Sequence, residues 1–506
     1  MRHAIGLGVM LVVLLVPARE AKASGSPGCR PGLWLQTGSM NTPRSSHAAT
    51  LLPSGKVLVA GGESDDFTVL ASAELYDPAT GAWSSTGSLQ SPRTHHTMTL
   101  LATGKVLVAG GSNSVGYTPS AEIYDPATGQ WTTAGAMVDA RGGHTATLLP
   151  TGNVLVAGGS GPESLKSAEL FNPSTGEWTR VAPLSIGRDE HTATLLPSGQ
   201  VLVLGGRPLT ASGEIYDPGT GTWARGAAML LERELHTATL LASGAILVAG
   251  GAGANDEGPS GSVMAEAELS NVGATGWRQT GSLRAPRLLH TATRLDPGGV
   301  LVVGGISFGL SNQTAELFDP ESETWNDAGC MAEARAAHTA TLLPSGAVLV
   351  VGGEVSSTRV TTGAEIYGMI VLPAAVSLAP GNGLTFTARG VNGLECVWSF
   401  VENGSGATLN TSGDYRAGPR TGVTDVVQVV DEFGSSGRAT ITVVSQRSAV
   451  AASLPQTSAM GCGTTASARQ PPPGEALTLV LAWISLEVLR GRVARGSRNK
   501  GAAGGD

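Results

Sequence analysis

The chain has 506 residues, of which 41% are hydrophobic, 14% are charged and 71 are glycine. That balance suits many short strands and tight turns rather than helices, and the length allows more than one domain. A formal net charge of −8, with no long basic run in the repeated region, excludes a non-specific nucleic-acid binder.

Residues 1–23 read as a secretory signal. Arg2 and His3 give a basic start, Ile5 to Val16 is an apolar run, and Ala21-Lys22-Ala23 is a small-residue cleavage pattern. The competing reading is an N-terminal membrane anchor, but the run is short for a span. No cysteine follows it closely enough for a lipoprotein signal. Export would permit disulfides. The four cysteines, Cys29, Cys330, Cys396 and Cys462, fall in different segments, and no CxxC motif supports zinc or redox chemistry. No pairing is assigned, and Cys396 has no obvious mate.

From Trp34 a fixed frame recurs seven times: Trp, ten residues to Arg, three to His, fourteen to Gly-Gly. Its tryptophans are Trp34, Trp83, Trp131, Trp178, Trp223, Trp277 and Trp325. Its arginines are Arg44, Arg93, Arg141, Arg188, Arg233, Arg287 and Arg335. Its histidines are His47, His96, His144, His191, His236, His290 and His338. Spacing within the frame never varies, whereas the repeat length runs from 45 to 54. A rigid unit joined by elastic loops, with a period near 48, predicts a propeller.

One unit shows how the residues dictate the structure. His144-Thr-Ala-Thr-Leu-Leu149 is a β-rich run, and Pro150-Thr-Gly152 supplies turn chemistry. Val154-Leu-Val-Ala157 is continuously apolar, as in a strand covered on both faces. After Gly158-Gly159 and a variable loop, Ser167-Ala-Glu-Leu-Phe171 is a third strand. Asn172-Pro-Ser-Thr-Gly176 is a second tight turn, and Trp178 opens a fourth strand. Four antiparallel strands make one blade. The Gly-Gly pair is expected to let neighbouring backbones approach, and the Trp to offer an apolar plate to the next blade. The last unit stops at Ala364-Glu-Ile-Tyr367 with no Trp after it, while Trp34 precedes any first strand. Residues 33–40 are therefore expected to supply the missing strand, closing a ring of seven blades and removing two sheet edges.

The recurring Arg-x-x-His, Val-Leu-Val-x-Gly-Gly, Glu-(Leu/Ile)-(Tyr/Phe)-(Asp/Asn)-Pro and Gly-x-Trp strings resemble kelch repeats in their long bacterial form. The resemblance covers residues 33–370. It implies an all-β fold, a seven-bladed kelch β-propeller, the architecture also of the central domain of galactose oxidase. Unit five departs from the pattern: Glu268-Leu-Ser270 lacks the aromatic, and Asn271-Val-Gly-Ala-Thr-Gly276 replaces the Asp-Pro turn. That blade is expected to be looser.

Beyond the repeats, residues 371–445 hold short alternating strands enough for a small sandwich, with Trp398 as its core tryptophan. This segment resembles the immunoglobulin-like domains of bacterial surface proteins. Residues 446–475 read as a Ser/Ala/Pro-rich linker. Residues 476–506 hold a short apolar stretch, interrupted by Glu487, and then Arg490, Arg492, Arg495, Arg498 and Lys500. The order of Cys462, apolar stretch and Arg cluster resembles the tripartite C-terminal sorting tags of myxobacterial surface proteins. That resemblance implies processing or anchoring at Cys462, with the tail meeting the membrane or cell envelope. The alternative is a plain disordered tail.

A residue that recurs once per unit is first a packing residue, so the seven histidines are read as structural rather than as a metal ring. The seven arginines run in register with Glu74, Glu122, Glu169, Glu214, Glu268, Glu316 and Glu365, which predicts a repeated internal ion pair. Copper-radical chemistry of the galactose oxidase kind needs two tyrosines, one cross-linked to cysteine, and two histidines. No such set stands out, and no cofactor or metal is expected. Nor does any Ser-His-Asp or paired-carboxylate motif appear.

Loop geometry remains. The 1–2 and 3–4 turns are uniformly tight, whereas the 2–3 and 4–1 loops on the opposite face vary. Variation on a rigid scaffold is where binding sits. The candidates are Asp65, Asp66, Phe67, Tyr117, Arg207, Asp256, Glu257, Phe308 and Arg359. The expectation is an exported, monomeric cell-surface or extracellular binding module whose partner is a protein or a glycan. The alternatives are a carbohydrate-active enzyme working from the same face and a structural surface or matrix component.

Overall fold

A computed structural model of the chain describes residues 34–445, apart from 256–257, 272, 297, 390–395 and 432–435. The expected signal segment, linker and sorting tail, with Cys29 and Cys462, lie outside the described residues, as do Asp256 and Glu257. Every regular element among the described residues is a strand.

The repeated region forms seven four-stranded antiparallel sheets. In the first, Ala48–Leu51, Val57–Ala60, Ala73–Asp77 and Ala82–Thr86 lie side by side in chain order. The second strands, such as Val57–Ala60, are buried at every residue, as continuous apolar runs require. In the seventh sheet Thr339–Leu342, Val348–Val351 and Ala364–Tyr367 are followed by Trp34–Gln36. This early strand pairs antiparallel with the third, setting Trp34 opposite Tyr367 and Gln36 opposite Glu365. The first strand of each sheet lies against that of the next, and Thr339–Leu342 lies against Ala48–Leu51.

Each frame residue has a definite task. The Arg guanidinium is fully buried and donates from Nη2 to the third-strand Glu, at 2.7 Å for Arg141 to Glu169. Its Nη1 donates to the first glycine's carbonyl, at 2.6 Å for Arg141 to Gly158. The Glu carboxylate also accepts backbone N–H groups from the segment leading to the Arg, Val138 and Asp139 in the case of Glu169. The ion pair recurs in all seven units. Burial lowers the Arg141 guanidinium from its ordinary value, and the charge of Glu169 opposes that fall.

The histidines join neighbouring units. His144 Nε2 hydrogen-bonds Thr97 Oγ1 of the preceding unit at 3.0 Å, and His47 closes the series on Thr339 at 2.9 Å. His96 alone among the seven faces no hydroxyl, because Ala48 stands where the other units carry Thr, and its Nε2 is buried without a partner.

Gly61 and Gly62 show why the glycine pair is needed. Both adopt positive φ, and a Cβ on Gly61 would lie 2.5 Å from the Arg93 carbonyl oxygen. With no Cβ there, the Gly62 N–H donates to that same oxygen at 2.9 Å. The tryptophan plates face the preceding unit rather than the following one. Trp131 packs with Leu58, Ala60 and Ala73 of unit one, and its indole N–H donates to the Gly87 carbonyl at 2.7 Å. The reason is that Trp131 shares a sheet face with Val106, Val108 and Tyr124, and this face meets unit one. In unit five, Ser270 replaces the aromatic and its hydroxyl accepts the Ile246 N–H at 2.8 Å. The outer strands shorten to Ala267–Ser270 and Trp277–Gln279, yet the sheet keeps four strands.

Beyond the repeats, Ala375–Leu378, Ser436–Val443, Val423–Asp431 and Cys396–Asn403 form one sheet. Gly383–Thr385, Asp414–Arg416 and Thr408–Leu409 form another. They enclose Phe386, Trp398, Tyr415, Val427, Val429 and Ile441. Asp425 is buried and accepts hydrogen bonds from the Ser405 N–H and hydroxyl and from the Tyr415 hydroxyl. The Arg438 N–H donates to the Ser345 carbonyl of the repeat region at 3.0 Å. Cys330 and Cys396 are both disulfide-bonded, so the cysteine that lacked an obvious mate in the sequence is paired.

Candidate functional site

At one end of the sheets, the 4–1 and 2–3 loops of each unit are joined by an antiparallel bridge. Ser45 pairs with Glu63, Asp189 with Arg207 and Ala336 with Glu354, and the other units follow suit. At the opposite end lie the tight turns, closed by bonds such as Gly55 N–H to Leu52 and Gly81 N–H to Asp77.

The residue just before each frame histidine forms a closed circle. The Ser46 N–H donates to the Ala337 carbonyl, His95 to Ser46, Gly143 to His95 and Glu190 to Gly143. Leu235 then donates to Glu190, Leu289 to Leu235 and Ala337 to Leu289, over 3.0–3.4 Å. Every non-glycine member takes a left-handed backbone conformation, as does Gly143. All seven retain solvent contact, whereas the adjacent arginines and histidines are buried. Identical backbone geometry thus presents seven positions with six different side-chain types around a common mouth.

The mouth is chemically lopsided. Asp189 is 3% exposed, and its Oδ2 accepts the Ser164 hydroxyl at 2.7 Å while Oδ1 has no partner. Burial, reinforced by the charge of Asp189, pushes the neighbouring Glu190 carboxyl up to about 7. Next around the circle from Glu190, Leu235, Leu289 and Ala337 are half-buried. Sequence reasoning did not single out Asp189, Glu190 or Glu234. The available signal was variation inside the two unspecified positions of Arg-x-x-His.

The candidates chosen from sequence divide into groups. Asp65 accepts the N–H of Val360, next to Arg359, and so ties the loop of unit one to the hairpin of unit seven. Asp66 is turned onto its own loop, accepting from Ser64 Oγ at 2.6 Å and the Thr68 N–H at 3.2 Å, and these bonds hold its carboxyl below the ordinary value. Phe67 and Phe308 sit at loop tips with positive φ and are 72% and 84% exposed. Arg359 is paired with Glu333 and lines a small cavity with Thr37, Arg335 and Thr361. The Ser311 hydroxyl donates to the Glu354 carbonyl at 2.9 Å, so the hairpins of units six and seven adjoin. Phe308, Arg359 and Asp65 therefore share one arc, with Phe67 beside Asp65. Tyr117 and Arg207 do not join it. Tyr117 lies over Gly142 of unit three, and Arg207 donates from Nε and Nη2 to Glu234 of unit five at 3.0 and 3.1 Å.

The sheets are propeller-like, and part of the chain carries a kelch-repeat match. Residues 33–206 match the family model described as the KLHDC2/KLHL20/DRC7 Kelch-repeats domain. No curated protein matches the chain. Among solved structures, it is similar to a fungal alcohol oxidase of the AA5 family in complex with copper. The identity is 16%, the coverage 82% of this chain and 100% of that one, and the TM-score 0.58. That likeness is one of fold. The described residues do not fit a copper-radical centre. The repeat histidines are spent between units or buried, the circle contributes one His and no Tyr, and no group of three or more His, Cys, Asp or Glu among the described residues is placed to hold a metal.

Proposed function

We propose that this chain is an exported, monomeric cell-surface protein that binds a protein or glycan through the face carrying its 2–3 and 4–1 loops. In this reading residues 33–370 form a seven-bladed kelch propeller closed by residues 33–40. Residues 371–445 form an Ig-like sandwich, residues 446–475 a linker, and residues 476–506, with Cys462, a tail that sorts or anchors to the envelope. Seven sheets in sequential and circular contact support the propeller. The two-sheet core around Trp398 supports the sandwich, and the disulfide state of Cys330 and Cys396 supports export.

One observation carries the binding reading: the hydrogen-bonded circle repeats a single backbone geometry while its side chains differ at almost every unit. Selection for packing would repeat the side chain too, as it does at the arginines and glutamates. A glycan array and a cell-surface pull-down with the secreted chain test it. Binding should be lost when Tyr117, Phe67 and Phe308 are changed together to Ser. A ligand that binds this variant as well as the wild type would contradict the reading.

A further inference from the structure

From the mouth of the circle we infer a specific occupant: the basic side chain of a partner polypeptide, its ammonium or guanidinium held by Asp189 and Glu190 and its aliphatic stem laid on Leu235 and Leu289. This rests on the reading of the loop face as a binding face and names what that face takes.

Three independent features converge. The first is an unspent acceptor. Asp189 is almost wholly buried, yet its Oδ1 has no hydrogen-bond partner. A buried carboxylate oxygen without a donor is costly, and a cationic donor from outside would satisfy it. The nearby Arg207 does not do so, since it spends Nε and Nη2 on Glu234.

The second is a glycine pair that lets an acid and an aromatic ring close onto one backbone segment. Unit three carries Gly142 and Gly143 where other units carry side chains. A Cβ at Gly143 would lie 2.8 Å from Glu190 Oε1, and one at Gly142 would lie 3.1 Å from the Tyr117 ring. Glu190 and Tyr117 thus pack onto two adjacent glycines. A carboxylate and an aromatic ring carried on one such segment are groups that recognise an organic cation. Tyr117 remains 45% exposed.

The third is the apolar flank. Around the circle Glu190 is followed by Leu235, Leu289 and Ala337, all half-buried. An alkyl stem gains by covering them, whereas a hydroxylated sugar ring would leave its polar groups against aliphatic walls.

A cation entering here meets Asp189, Glu190 and Glu234, offset by Arg207. His95 is the next titratable side chain around the circle, through Gly143. Its arrival draws Glu190 into the ionised form. Affinity should therefore rise with pH through the titration of Glu190 near 7.

The test is calorimetric titration of the full chain with a short peptide holding one lysine, with the same peptide carrying norleucine, and with a glucosamine oligomer. The lysyl peptide should bind, and the norleucine peptide should bind at least about tenfold more weakly. Glu190→Gln, isosteric at a half-buried position, should weaken the lysyl peptide about tenfold and flatten its pH dependence, and Tyr117→Leu should weaken it severalfold. Equal binding of lysyl and norleucine peptides, or tighter binding of the glucosamine oligomer, would overturn the inference. So would a silent lysyl titration when the array yields a ligand lost in the loop-face variant, although the binding-face reading would then stand. If no ligand depends on the loop face, both fall.

Discussion

The backbone N–H of Gly353 donates to the carbonyl oxygen of Arg44 at 2.9 Å, so the last repeated unit grips the first with the bond that links every other pair of neighbours. Trp34 seals the preceding seam, between units six and seven, from the outer edge. Its indole N–H donates to the Ala328 carbonyl of unit six at 3.0 Å, and its ring lies 5.3 Å from that of Tyr367. The circle is held at three radii: by the solvent-facing hydrogen-bonded ring, by the glycine pairs and by the tryptophans.

Truncating Trp34 should therefore act far from its place in the sequence. Trp34→Ala removes a partly buried aromatic pair and a hydrogen bond, a loss of about 2–4 kcal/mol. Deleting residues 33–40 should cost more, because it also bares the edge of Ala364–Tyr367. Thermal melting checks both, with the deletion expected to promote aggregation on heating. An unchanged melt would contradict closure by this strand.

The ion pair at Arg141 and Glu169 should be strongly directional in its mutants. Arg141→Ala leaves a buried carboxylate without its cation and should cost about 3–5 kcal/mol. Replacing both residues with hydrophobes should not restore stability, unlike a simple buried pair. Glu169 also accepts the Val138 and Asp139 N–H groups, and Arg141 serves the Gly158 carbonyl. Chemical denaturation of the single and double variants measures this. A double variant as stable as wild type would show that these backbone bonds contribute nothing.

Ala48→Thr should stabilise the protein. His96 lacks the hydroxyl partner that His144 finds in Thr97, and a Thr at position 48 places one there. Completing that bond should add about 0.5–1.5 kcal/mol. Ala48→Val, similar in shape but unable to hydrogen-bond, is the control, and equal gains from both would refute the mechanism.

Stability should decline in mild acid. Burial, followed by the charge of its neighbouring arginine, lowers each frame histidine; His96, His191 and His290 fall to about 3. The unfolded chain takes up protons near the ordinary value of 6.5, while the folded chain does not. Stability is therefore complete above that value and is lost as pH falls below it. At pH 5 each such histidine forfeits on the order of 2 kcal/mol. Melting temperature should drop steeply between about pH 6.5 and pH 5, and His96→Gln should make the drop shallower.

How much of this was legible depended on repetition. Seven copies of one frame exposed the strands, the turns and the Arg–Glu register, because a packing solution used seven times must be spelled seven times. The tryptophan's direction was not legible. Which neighbour it faces depends on the side of the sheet shared by Val106, Tyr124 and Trp131, and spacing alone does not reveal that. The mouth was obscured for the opposite reason. Asp189 and Glu190 occupy positions where the repeat has no consensus residue, so only the backbone circle shows that they converge with Leu235 and Leu289. Loop length drew attention instead to Asp65 and Asp66, which turn out to be engaged with Val360 and with their own loop.

Hydrogen exchange at the N-terminal strand bears most directly on the circular architecture. Leu35 lies opposite Ile366 in the ladder, and two residues on the Thr37 N–H donates to the Ala364 carbonyl at 3.3 Å. In the native protein the amides of Leu35 and Thr37 should exchange as slowly as the ladder-bonded amides of Glu177–Val181, the equivalent strand of an interior unit. Exchange at the rate of an unstructured peptide, with Glu177–Val181 still protected, would mean that the ring is not closed by this segment.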